Sequence, residues 1–104
     1  MQPLLSEFAG DPDYAELLEG FLSELPKRIS VLEAALAASD MELLTRFAHQ
    51  LKGAAGGYGY SIITDAAKDV EQSAKARGER DVLRKQVDAL VDLCRRAAAV
   101  QISA

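Results

Sequence analysis

The chain is predicted to be all-α: an antiparallel up-down four-helix bundle with a short additional N-terminal helix. Three observations predict it. Apolar residues recur at three- and four-residue steps through four long segments. No segment sustains strand-like alternation, and no Asn-Gly or Asp-Gly hairpin turn occurs. The three prolines all precede residue 27, which leaves the rest of the chain free to be helical.

The elements follow in order. Pro3 to Ala9 is expected as the short first helix, with Gly10 ending it. Asp11-Pro12 reads as a helix start, because the carboxylate caps free N–H groups and proline suits the first helical position. From Asp13 to about Ala38, Tyr14, Leu17, Leu18, Phe21, Leu25, Ile29, Leu32 and Leu36 form one apolar stripe. Pro26 lies inside that stripe and is expected to kink or divide the helix. Ser39-Asp40-Met41-Glu42 matches the capping box, and the next helix should run to Gly56 or Gly57. Gly57-Tyr58-Gly59 is its end and a tight turn. A third long helix is expected from Ser61 to Arg77, with Ile62, Ile63, Ala66, Ala67, Val70 and Ala74 inward and Gly78 closing it. The last, from about Glu79 to Val100, turns Leu83, Val87, Leu90, Cys94 and Ala97 inward.

The 104 residues fit one domain, taken as residues 1–104, with one ordinary core. Hydrophobic residues are 49% and charged residues 27%, the balance of a globular protein. The net charge of -4 and a pI near 4.9 argue against a nucleic-acid partner. Basic residues such as Arg28, Arg46, Lys52 and Lys75 are scattered among acids. No apolar run approaches the roughly 20 residues of a membrane span, and the N-terminus does not resemble a signal peptide. A cytoplasmic location is expected. A monomer is expected too, since no stripe demands a dimer. Cys94 is the sole cysteine, which rules out an internal disulfide. It shares a helical stripe with Leu83, Val87 and Leu90, so it reads as a small buried hydrophobe and not a nucleophile.

The chemistry lies between Phe47 and Gly59. A helix advances about 100° per residue, so with Leu44 at zero, Phe47, Ala48, Leu51, Ala55 and Tyr58 fall within about 60°. His49, the only histidine, falls about 140° away on the outer face. Glu42, Thr45, Arg46, Gly53 and Gly56 share that face, and Lys52 sits on its flank. A lone histidine is more often a structural residue, but this phase puts it in solvent. Each glycine inside a helix costs about 1 kcal/mol relative to alanine. Bare positions at Gly53 and Gly56 would let another protein reach the imidazole; Gly56 and Gly57 also fit the start of helix termination. Lys52 is within reach of the ring's surface, and its ammonium suits phosphoryl oxygens. A neutral imidazole is available near pH 7. No HExxH, Cys/His metal spacing or GxxxxGK[ST] loop is present, so neither a metal centre nor a nucleotide-binding kinase is expected.

His49-Gln50-Leu51-Lys52-Gly53, followed by Gly59, resembles the HxLKGx5G signature of histidine-containing phosphotransfer (HPt) domains. The stretches Phe21 to Pro26 and Ala34 to Asp40 also look HPt-like, so the resemblance covers nearly the whole chain. It implies a phosphoryl carrier of a two-component phosphorelay, without autokinase or phosphatase activity. His49 would be the phosphorylation site, Lys52 its electrostatic support, Gly53 the access point and Gly59 the turn glycine. Arg46, Thr45 and Gly56 would belong to the docking surface. The implied partner is a response-regulator receiver domain, a hybrid histidine kinase, or both. The receiver would supply the aspartate and the Mg²⁺, leaving this chain without a cofactor.

Two departures from the family pattern stand out. Ala54 and Ala55 occupy positions often held by small hydroxyl residues, on the core side by helical phase. Gln50 is polar beside the histidine, but its phase is off by about 100°. Two other classes compete. An HPt-like module could dock receivers without phosphotransfer, though intact His49, Lys52 and Gly53 oppose this. A plain structural bundle leaves the outer-face glycines without a reason.

Overall fold

The four amphipathic segments become four helices because each carries one apolar stripe that only neighbouring helices can cover. The structure, a computed structural model, describes residues 2–98. In chain order it comprises β1 (Leu4–Leu5), α1 (Ala15–Ala37), α2 (Met41–Gly57), α3 (Ser61–Lys75), α4 (Arg80–Arg96) and β2 (Ala97–Ala98). α1 packs on α2 and α4, and α3 packs on the same two. Leu18, Phe21, Leu25, Ile29, Leu32 and Leu36 from α1 meet Leu44, Ala48, Leu51 and Ala55 from α2 in one core. Ile63, Ala67, Val70 and Ala74 of α3 and Leu83, Val87, Leu90 and Cys94 of α4 complete it. Truncating one of the larger fully buried side chains, Leu44 or Leu51 for example, would cost about 2–5 kcal/mol.

Two residues of the expected stripes lie outside: Leu17 and Ile62 are each 53% exposed. Both sit in the first turn of their helix, where fewer neighbouring side chains cover the surface. Cys94 is buried as expected, and burial pushes its thiol up to about 11.

The expected N-terminal helix is replaced by a strap. Leu4–Leu5 is extended and pairs in parallel with Ala97–Ala98. The buried Ser6 hydroxyl donates to Tyr58 O at 2.6 Å and accepts from Phe8 N at 3.0 Å. A serine that bonds the backbone two residues on offers the chain a turn in place of a helical turn. Gly10 does mark a reversal, with φ +85°. The parallel pairing also ends α4 at Arg96; the expected end at Val100 lies outside the described residues.

Pro26 does not divide α1, which runs unbroken through it. Asp11 caps the turn ahead of α1, accepting from Asp13 N at 2.9 Å, and the helix proper begins at Ala15. The capping-box reading shifts by one residue. Asp40, not Ser39, caps α2, accepting from Leu43 N at 3.1 Å. Ser39 is committed to ending α1: its φ is +54°, its N–H bonds Leu36 O, and Asp40 N bonds Ala35 O. Its hydroxyl accepts from Arg80, whose other nitrogen reaches Ala37 O. The same closing pattern ends α3, where Arg77 (φ +52°), and not Gly78, takes the left-handed position.

Candidate functional site

α2 and α3 form one wall of the bundle, and their contacts pair the two helices in opposite senses. Gly56 meets Thr64, Lys52 meets Glu71, and Met41 shares a cleft with Arg77. The turn that reverses the chain depends on Gly59, whose φ is +82°. Its N–H bonds Gly56 O while Tyr60 N bonds Ala55 O. A Cβ at Gly59 would stand 2.6 Å from Ser6 Oγ and 3.0 Å from Glu7 N, so the strap needs glycine there as well. Beside the turn, Phe21 stacks on Tyr58 and Tyr60, with ring centroids 5.0 and 5.5 Å apart. Tyr60 is fully buried and donates its hydroxyl to Ala98 O at 2.9 Å.

His49 emerges from this wall as the helical phase predicts: its side chain is 64% exposed, while Ala48 and Leu51 beside it are buried. Its Nδ1 lies 2.6 Å from Oε2 of Glu71 on α3. Lys52 Nζ donates to the other carboxylate oxygen, Oε1, at 2.7 Å. One carboxylate thus holds both the ring and the ammonium. The hydrogen bond from Lys52 is the main reason the Glu71 carboxyl sits below its ordinary value; burial opposes it, and His49 adds a smaller downward effect. An ionised carboxylate only accepts, so Nδ1 must carry the proton. In the neutral ring this places the lone pair on Nε2, the nitrogen away from Glu71.

Gly53 is open: a Cβ there would meet nothing within 4 Å, so the surface beyond the imidazole is bare. Gly56 has a different reason from the one expected. A Cβ there would stand 3.3 Å from Thr64 Oγ1, which itself donates to Lys52 O at 3.0 Å. This glycine lets α3 come close to α2, and it does not serve access alone. Thr45 is half-buried and turns its hydroxyl back onto Met41 O at 2.7 Å, which uses its donor inside the helix. Arg46 is exposed, with its guanidinium 5.8 Å from the Phe47 ring centroid. Gln50 is exposed and opens onto a separate cavity shared with α1.

Glu71 is the residue that reading along the chain missed. It lies 22 positions from His49 and 19 from Lys52, on another helix. The available signal was its place at the flank of the Ala67, Val70, Ala74 stripe, where an acid can face a neighbouring helix.

Among the described residues, no three His, Cys, Asp or Glu side chains gather as a metal site. No described helix is long and apolar enough to cross a membrane. No curated protein and no solved structure matches the chain. Among protein families, the Hpt domain matches residues 16–100, a span that contains His49, Lys52, Gly53, Gly59 and Glu71. With that match over most of its length, the chain belongs to the Hpt domain family, the phosphotransfer modules of two-component systems.

Proposed function

We propose that the chain is a phosphoryl carrier of a phosphorelay, loaded and unloaded at Nε2 of His49. The observation that carries this reading is the exposed imidazole whose Nδ1 is engaged by Glu71, beside the bare surface at Gly53. In loading, the Nε2 lone pair attacks the phosphorus of a receiver's aspartyl phosphate. The N–P bond forms as the acyl O–P bond breaks, and the receiver's carboxylate leaves. The ring gains positive character as Nε2 gives up its pair, and the Glu71 carboxylate at Nδ1 stabilises it. Unloading is the reverse. Lys52 stands one turn from His49, where its ammonium can exchange Glu71 for the phosphoryl oxygens. Mg²⁺ and the acceptor aspartate belong to the receiver, so this chain acts by positioning and charge alone, without autokinase activity or a cofactor.

A cytoplasmic monomer meeting receiver domains or a hybrid kinase fits this role. An antiparallel up-down course of all four helices is part of the same reading, supported by the short connections 38–40, 58–60 and 76–79.

The test is to mix the protein with a phosphorylated receiver domain and Mg²⁺ and follow the label. Transferred phosphate should be acid-labile and base-stable, and His49→Gln should take up none. Labelling of His49→Gln would remove the site assignment. Binding of receivers without any transfer would leave a docking module.

A further inference from the structure

A hydroxyl on a helix commonly returns to the backbone of that same helix. Ser23 donates to Gly20 O, Ser30 to Pro26 O and Thr45 to Met41 O in this way. Thr64, near the start of α3, does otherwise: its Oγ1 donates across the helix contact to Lys52 O of α2 at 3.0 Å. Gly56 makes room for it, since a Cβ there would stand 3.3 Å from the same oxygen. Among the described residues, the other side-chain hydrogen bonds linking α2 to α3 are those that Glu71 accepts from His49 and Lys52. Lys52 is thus held from α3 at both ends, its carbonyl by Thr64 and its ammonium by Glu71.

These contacts are two rungs of one ladder. His49 lies two turns before Gly56 on α2, and Glu71 two turns after Thr64 on α3. Because the two helices run in opposite senses, equal steps along each keep facing residues face to face. Both rungs therefore share one register, about 10 Å apart along the axes. Sliding α3 by one residue would carry Glu71 about 1.5 Å along and about 100° around the helix. Its bonds at 2.6 and 2.7 Å to His49 and Lys52 do not survive such a step.

We propose that Thr64 is a positioning residue for the phosphoryl chemistry: by bonding Lys52 O beside the bare Gly56, it locks the α2–α3 register that brings Glu71 to Nδ1 of His49. Valine has the shape of threonine without its donor. A methyl group needs about 3.3 Å or more from a carbonyl oxygen. The hydroxyl sits at 3.0 Å, so in a valine variant the helices part or the side chain turns, and the polar tie is lost. Thr64 stands two turns from the ring and acts through Lys52 and Glu71. Its consequence for transfer rests on the carrier reading, whereas its hold on the ring does not.

The test compares wild type with Thr64→Val, Thr64→Ala and Thr64→Ser in two readouts. One is nitrogen NMR of the His49 ring at about pH 8, where the neutral ring prevails and its tautomers can be told apart. The other is the rate of transfer from a phosphorylated receiver domain in Mg²⁺, measured against receiver concentration. Wild type and Thr64→Ser keep the hydroxyl; both should show the Nδ1–H tautomer alone, with transfer rates within about twofold of each other. Thr64→Val and Thr64→Ala should show a mixture of tautomers. Their maximal rate should fall about fivefold, with the apparent KM for the receiver changed less than about twofold. Thr64→Ala adds nothing against Gly56, so it keeps the comparison if the valine variant folds poorly. Val87→Ala, a core truncation on α4, controls for lost stability: it should lower the melting temperature and leave ring and rate as in wild type.

A single Nδ1–H tautomer in both Thr64→Val and Thr64→Ala would overturn the proposal and leave the carrier intact. So would a serine variant that behaves as the valine one, because the hydroxyl would then not be the agent. A loss confined to KM would place Thr64 in the partner's footprint and overturn it as well. If wild type exchanges phosphate with no receiver, the carrier reading falls, and the tautomers of the variants still decide the role of Thr64.

Discussion

Nδ1 of His49 and Oε2 of Glu71 lie 2.6 Å apart across the α2–α3 contact, so the exposed ring is oriented from a different helix than the one that carries it. The same carboxylate holds Lys52 at 2.7 Å. An exposed imidazole on a single helix would rotate and sample both tautomers. Here one bond selects the tautomer, and the other holds the Lys52 ammonium beside the ring.

Glu71→Ala should therefore slow phosphoryl transfer by about tenfold or more, the scale of losing a hydrogen bond to a charged group of roughly 1.5–3 kcal/mol. Nitrogen NMR of the His49 ring should show a single Nδ1–H tautomer in wild type and a mixture in the variant. A variant with unchanged tautomer and rate would show that Glu71 plays no part.

The lowered Glu71 carboxyl also sets a pH dependence of stability. A depressed carboxyl in the folded state contributes above its unfolded value, here 4.5, and the contribution is lost as pH falls through the folded value. The stability difference between wild type and Glu71→Gln in urea unfolding should be present above about pH 4.5 and should shrink steadily as pH falls below it. A difference that grows on acidification would reverse the assigned sign.

Gly53 and Gly56 separate access from packing. Gly53→Ala meets nothing within 4 Å and should raise stability by about 0.5–1 kcal/mol, since a helix-interior glycine is replaced in open space. Gly56→Ala should gain less, because its Cβ presses on Thr64 at 3.3 Å. Gly53→Glu should keep the helicity and slow transfer at least about tenfold by misplacing the partner. Thermal melts and transfer rates check all three.

Gly59→Ala should be the most damaging of the glycine changes. The left-handed φ of +82° and the 2.6 Å approach of Ser6 Oγ act together, for a loss of about 2 kcal/mol or more. Ser6→Ala should cost about 1–3 kcal/mol by removing the hydroxyl bonded to Tyr58 O and Phe8 N. Denaturant midpoints measure both. A small Gly59→Ala effect would mean that the strap yields easily.

The sites that could be read along one helix were legible. His49 outward, Ala48, Leu51 and Ala55 inward, and the reversal at Gly59 all follow from a fixed angle per residue and from the φ that only glycine takes easily. The N-terminal strap was not legible, because Leu4 and Leu5 are extended by pairing with Ala97 and Ala98, about ninety residues away. Local propensity favours a helix there; the distant partner and the Ser6 turn override it. The cap assignment at Ser39 failed for a related reason, since the end of one helix and the start of the next compete for the same two residues.

His49 itself, its exposure and its HPt-like setting with Lys52 and Gly53 were determined by the sequence alone, through periodicity within α2. The tertiary structure alone decided which residue of α3 meets it. Helical phase gives a face, but not the axial offset between two helices, and that offset is set by packing at Gly56 and Thr64 and by the turn at Gly59. Glu71 at Nδ1 is a consequence of that offset.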